Sequence, residues 1–103
     1  MIKYTLYYTN HFDADLKEAI GWYDKISPDI GDKFQISFYN TEERLLQNPF
    51  AFSFIKGTKY KRILFKNFPF KMAYKIEDDI IYVTALIHVA RSNRFIKKRL
   101  KGK

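Results

Sequence analysis

Cations and aromatic rings alternate through the second half of this chain. Lys59, Lys61, Arg62, Lys66, Lys71, Lys75, Arg91 and Arg94 are interleaved with Tyr60, Phe70, Tyr74 and Tyr82. Ammonium and guanidinium groups hold phosphates, and ring faces stack bases, so the chemistry on offer is recognition of a polyanion. The opposing account is an amphipathic sheet with lysines on its wet side and rings in its core. For most of the rings, taken singly, that account is the stronger one. It explains why the exposed positions are polar but not why almost none is acidic. Arg91 is the sharpest single candidate. It follows the last apolar run, where the chain leaves a strand, and an arginine there can fork onto a phosphate or carboxylate. His88 lies three residues earlier and is expected on the same strand face as Tyr82 and Leu86. A histidine so placed is more often a core or rim residue than a proton carrier.

Other chemistries find little support. His11 and His88 are the only histidines and there is no cysteine, so neither a metal nor a cofactor is expected. Gly21, Gly31, Gly57 and Gly102 are scattered and form no phosphate loop. No serine stands in a nucleophile-elbow context. Asp13, Asp15, Glu18, Asp24, Asp29 and Asp32 fall in first helical turns or on polar helix faces, where capping and solubility account for them.

The charge is polarised along the chain. Residues 1–55 hold five basic and eight acidic residues, a net of −3, whereas residues 56–103 hold fourteen and three, a net of +11. A field of one sign governs partners and association rates, not fold. The last seventeen residues, "IHVARSNRFIKKRLKGK", contain seven Lys or Arg and no acid. A length of 103 residues fits one domain, 1–103, and hydrophobic residues at 47% supply a core. No apolar run reaches the length of a signal peptide or of a membrane span, so a soluble, cytoplasmic protein is expected, with no membrane partner.

The elements that must position these groups follow from period and punctuation. Residues 2–8, "IKYTLYY", are β-branched and aromatic and read as a strand. Thr9, Asn10 and Asp13 are candidate caps for a helix in which Leu16, Ala19, Ile20 and Tyr23 recur at helical spacing, ending near Ile26. Ser27–Pro28 starts a second helix, with Ile30, Phe34, Phe38 and Leu45 on one face; Asn48–Pro49 ends it. Gly31 costs about 1 kcal/mol relative to alanine there, which close helix packing would justify. With almost nothing between them, the two helices form an antiparallel hairpin. Residues 49–59, "PFAFSFIKGTK", read as loop and "KYKRILF", residues 59–65, as a strand. In residues 70–77, Phe70, Met72, Tyr74 and Ile76 face one way, and Lys71, Ala73, Lys75 and Glu77 the other. Residues 77–79 make a tight turn, and residues 80–89 form an inner strand, apolar on both faces. The expected fold is α+β: a two-helix antiparallel hairpin on one face of a mainly antiparallel four-stranded sheet, in the order β-α-α-β-β-β. Phe95, Ile96 and Leu100 share one helical face of the tail, which reads as a short amphipathic helix or a frayed extension.

This order, with "DADLKEAIGWYDKISPDIGDKF", then "NP", then "KRILFKNFPFKMAYKIEDDIIYVTALIHVARSN", resembles the RelE/ParE family of type II toxin–antitoxin toxins over essentially the whole chain. The resemblance implies one of two activities. ParE-like members poison DNA gyrase and do not cut RNA; RelE-like members cleave mRNA on the ribosome. For the RelE-like activity the matching basic positions are Lys61, Lys71 and Arg91, with His88 as a strand-borne base. Ile63 stands where a second strand lysine would be expected, and the tail after Arg91 offers Phe95 but no tyrosine. The acid–base set is incomplete, which favours the ParE-like branch. The third reading, a non-catalytic nucleic-acid-binding module, needs only the basic surface. The resemblance also implies a cognate acidic antitoxin that wraps the toxin with a helix and an extended segment in a hetero-oligomer. Lys59, Arg62, Arg94, Lys97, Lys98 and Arg99 are the residues expected to meet that antitoxin or the target, gyrase or ribosome with mRNA. The family resemblance and the charge together expect Lys61, Lys71 and Arg91 on one continuous face of the sheet.

Overall fold

A computed structural model describes residues 3–101. Its elements are β1 (Thr5–Tyr8), α1 (Asn10–Ile26), α2 (Pro28–Gln47), β2 (Lys61–Leu64), β3 (Phe70–Glu77), β4 (Ile80–His88) and α3 (Asn93–Lys101). The β-α-α-β-β-β order is as expected, and α3 follows it. The sequence places the start of the first strand at Ile2, which lies outside the described residues.

Local chemistry sets the helix boundaries. The Thr9 hydroxyl accepts the Phe12 N–H at 3.2 Å, so Thr9 is the cap of α1. The Ser27 hydroxyl accepts the Asp29 N–H at 3.2 Å, and Pro28 opens α2. Gly31 is buried at the crossing of the two helices. A Cβ there would lie 1.7 Å from the Asp24 carboxylate, which fills the space that glycine leaves.

The sheet runs β1-β4-β3-β2. β4 pairs antiparallel with β3 and parallel with β1, so β4 is an inner strand, as is β3 between β4 and β2. Asp78, at φ 55, makes the tight turn between β3 and β4. On one face, Ile63, Phe65, Met72, Tyr74, Ile81, Val83 and Leu86 pack against Phe12, Phe34, Phe38 and Leu45 of the hairpin. The other face is covered in part by α3. Ile96 and Leu100 are buried against Ala73, Ala85 and Ile87 of the sheet and Ile55 and Tyr60 of the preceding loop. Burying two such aliphatic side chains stabilises by roughly 3–6 kcal/mol before ordering costs. The tail is thus an ordered helix, and β4 is apolar on both faces because both are covered.

The register contains one irregularity. Ala73 pairs with Ala85 but Tyr74 pairs with Val83, leaving Thr84 as an extra residue in β4. Such a bulge shifts the alternation of side chains by one. Ile81 and Val83 point to the hairpin before it, and Leu86 points there after it. Tyr82 pairs with Lys75 on the opposite face, whereas His88 pairs with Phe70 and lies 5.4 Å from its ring. The expectation that His88, Leu86 and Tyr82 share a face fails at this point: His88 and Leu86 do, and Tyr82 does not.

Candidate functional site

The sheet sorts the cations between its two faces. Lys61 pairs with Tyr74, a core residue of the hairpin face. Its ammonium donates to the carbonyls of Phe50 (3.4 Å) and Phe52 (2.8 Å) and sits 4.1 Å from the Phe54 ring centroid. Arg62 pairs with Ala73, and Lys71 with Leu64 and Ile87, so both belong to the face that α3 covers. Lys61 and Lys71 therefore point to opposite sides of the sheet, because side chains on paired strands alternate. One continuous face carrying Lys61, Lys71 and Arg91 does not exist. Lys61 instead anchors the loop that follows α2.

On the α3 face, burial lowers the pKa of Lys71, and the neighbouring Arg62 guanidinium adds to the effect. No ion pair engages either residue among the described residues. Two like charges without a carboxylate are a ready seat for an anion.

The junction between β4 and α3 holds the other candidates. The His88 Nδ1 accepts the Ala90 N–H at 3.0 Å, which leaves only Nε2 free to exchange a proton outward. The Arg91 guanidinium lies over the Phe95 ring, 4.5 Å from its centroid. The Ser92 hydroxyl accepts the Phe95 N–H at 3.2 Å and caps α3. Arg91, Arg94, Lys97 and Lys98 are exposed around this helix, and Lys59 is exposed on the turn before β2. Gly57, at φ 77, lies directly beneath the Lys97 side chain.

Arg99 behaves differently from its neighbours. Its guanidinium pairs with the carboxylate of Asp15 on α1, and the other Asp15 oxygen accepts the Leu86 N–H at 3.2 Å. β1 pairs with β4 only as far as Val83. Beyond that point Asp15 receives the backbone N–H that a strand would otherwise bond. Asp15 is therefore structural, more than a solubilising helix residue, and Arg99 serves as its latch to α3.

Sequence reasoning missed a second concave region on the α3 face, beside the helix. Tyr7 on β1 pairs with Tyr82 on β4, and their ring centroids are 5.6 Å apart. Lys75 sits between two rings, 5.8 Å from Tyr82 and 5.9 Å from Tyr60, and pairs with Glu77 at 3.0 Å. That hydrogen bond to Glu77 is the main reason its pKa rises. His11 borders this hollow and a second one lined by Phe95, Lys98 and Arg99. The signal in the sequence was the outward Tyr7 of the first strand, hidden in a run of tyrosines. Among the described residues no group of three or more His, Asp or Glu residues could hold a metal, and no helix is long and apolar enough to cross a membrane.

No family model and no curated protein matches the sequence. Among solved structures, the chain is similar to one from the "Chromosomal ParDE TA system from P. aeruginosa". The TM-score is 0.74 at 17% identity, over 84% of this chain and 97% of that one. At that identity the likeness carries the fold, and the fold is the ParE-like one expected from the resemblance.

Proposed function

We propose that this chain is the toxin of a type II toxin–antitoxin pair, that it arrests growth by ParE-like poisoning of DNA gyrase, and that a cognate acidic antitoxin neutralises it. Its fold is shared with a chain of a ParDE system, and its basic surface complements an acidic partner. Arg62, Lys71, Arg91, Arg94, Lys97 and Lys98 are the residues through which it would meet that partner or its target; Lys59 lies at the margin of this surface.

The observation that weighs most against the RelE-like reading is the separation of Lys61 from Lys71 by the sheet itself. A general acid–base set must converge on one ribose and one phosphate within hydrogen-bond reach. Lys61 is held by two carbonyls, His88 belongs to the hairpin face, and Phe95 brings no exchangeable proton to Arg91. What remains is Arg62, Lys71 and Arg91, which can bind an anion; of these only Lys71, its pKa lowered by burial, can exchange a proton, and it lacks the acid–base partner that Lys61 or His88 would have supplied.

Induced expression tests the toxin reading. Growth should stop with a DNA-damage response while translation continues, and co-expression of the cognate antitoxin, sought as a short acidic protein in the adjacent reading frame, should restore growth. Undisturbed growth at high expression would refute the toxin reading. Arrest with mRNA cleavage that Arg91→Ala removes would replace the proposed activity with the RelE-like one.

A further inference from the structure

The outward side of α2 carries a second apolar stripe. The inward side, Gly31, Phe34, Ser37, Phe38, Thr41 and Leu45, is buried. Asp32, Ile36, Tyr39, Glu43 and Leu46 recur at alternating spacings of four and three, roughly on the opposite side of the helix. Ile36 and Tyr39 are each 58% exposed and Leu46 is 39% exposed. Tyr39 leans on Phe38, with 5.5 Å between ring centroids, and more than half of its surface still meets water. Single exposed apolar residues are ordinary, but a run at this spacing is the seam by which one helix packs on another.

The carboxylates in the seam decide what packs there. No ion pair engages Asp32 or Glu43 among the described residues. Lys33 is taken by Asp29, and Arg44 donates to the Leu64 carbonyl. A second copy fits poorly. Two such ridges packed antiparallel, with Ile36 of each copy on Tyr39 of the other, set Asp32 of each against Glu43 of the other. Packed parallel, each carboxylate meets its own counterpart. Repulsion between like charges opposes both arrangements. The α3 helix of another copy brings cations, but its Ile96 and Leu100 are buried and leave it no apolar face to offer. An acidic partner such as the proposed antitoxin meets the same repulsion as a second ridge. The cations around α3 do not offset these acids, because the hairpin and α3 cover opposite faces of the sheet. The smallest extent of the molecule is 22 Å, more than twice the screening length of about 8 Å at physiological salt.

We infer that this ridge docks an amphipathic helix of another protein, one with apolar residues at the same spacing and Lys or Arg beside them to meet Asp32 and Glu43. The surface lies away from the cations assigned to the antitoxin and target, and the inference stands whether or not the chain is a toxin.

A synthetic Leu/Lys peptide of about eighteen residues, or roughly five helical turns, with leucines at three-and-four spacing, is the probe. Titrated into the isotopically labelled full chain and followed by NMR, it should move the amide signals of Ile36, Tyr39 and Leu46 and leave those of Arg94, Lys97 and Lys98 in place. Ile36→Ser combined with Tyr39→Ser should weaken binding by roughly tenfold to a hundredfold. Both side chains face water, so this double variant keeps its fold. Asp32→Lys combined with Glu43→Lys should weaken binding about threefold to tenfold at low salt. Trp22→Ser, on the other helix of the hairpin (66% exposed), should leave it unchanged. Any of four results would overturn the inference: ridge signals that do not move, equal movement with a Leu/Glu counterpart, equal movement with a Leu/Lys peptide whose leucines are scrambled, or binding that survives the Ile36 and Tyr39 changes. Self-association of the chain alone that Ile36→Ser abolishes would also overturn it, by giving the ridge to a second copy.

Discussion

Asp15 and Arg99 join α1 to α3 across the edge of β4, and the second Asp15 oxygen takes the Leu86 amide that β1 stops short of reaching. This one carboxylate closes the sheet edge and fastens the helix that carries Arg94, Lys97, Lys98 and Lys101. Its loss exposes two separate weaknesses. Asp15→Ala leaves a backbone N–H without its partner and a guanidinium without its acid, and should cost about 2–3 kcal/mol in urea unfolding. Arg99→Ala removes only the partly exposed half of the arrangement and should cost about 1 kcal/mol or less. Equal losses for the two variants would contradict the double role of Asp15.

Helix α3 has only nine residues and would be marginal alone. Its position therefore depends on Ile96 and Leu100. Ile96→Ala should destabilise by roughly 2–4 kcal/mol, and amide exchange in α3 should accelerate more than in α2. Unchanged protection of α3 would mean that something other than this apolar contact holds it.

Alkaline pH acts most strongly through buried Tyr74 and half-buried Tyr8. Burial raises the pKa of both hydroxyls well above the ordinary tyrosine value of 10.0, and the hydrogen bond from Tyr8 to Glu42 raises that of Tyr8 further. Above pH 10 the unfolded chain loses these protons while the folded chain keeps them. The unfolded state then binds fewer protons, so stability, fully present below pH 10, falls as pH rises. Each tyrosine contributes a slope of up to about 1.4 kcal/mol per pH unit. Tyr74→Phe should be less stable at pH 7, having lost its 2.7 Å bond to the Pro49 carbonyl. It should also show a shallower decline above pH 10. An unaltered alkaline slope would rule Tyr74 out as a source of it.

The cations around α3 should act on rates. Reversing Arg94, Lys97 and Lys98 to glutamate should slow association with an acidic antitoxin by tenfold or more at low salt, with a smaller effect on dissociation. The difference should shrink as ionic strength rises. A loss confined to the dissociation rate would place those residues in direct contact instead of long-range steering.

Much of the scaffold was legible because it is written in local chemistry. Ser27–Pro28, Asn48–Pro49 and the acidic turn at residues 77–79 mark boundaries within a few residues of sequence, and β3 reads directly from its alternation. The parallel pairing of β1 with β4 carries no comparable mark in the sequence. The face assignments depend on events that leave no local trace. Thr84 sits in an apolar run where nothing announces an extra residue, yet the bulge there turns Tyr82 and His88 to opposite faces. Lys61 alternates correctly within β2. Its fate is decided by a loop from earlier in the chain that brings the Phe50 and Phe52 carbonyls to it. Asp15 looks like any acid near a helix start, and only the early end of β1 gives it work.

The gyrase reaction tests the proposed activity most directly. Purified chain added to gyrase, ATP and supercoiled plasmid should trap covalent cleavage complexes, seen as linear DNA after detergent and protease. Lys61→Met should retain this activity, since Lys61 is bound up in its own loop. Supercoiling that proceeds unchanged at a large molar excess of folded protein, with no linear product, would contradict it.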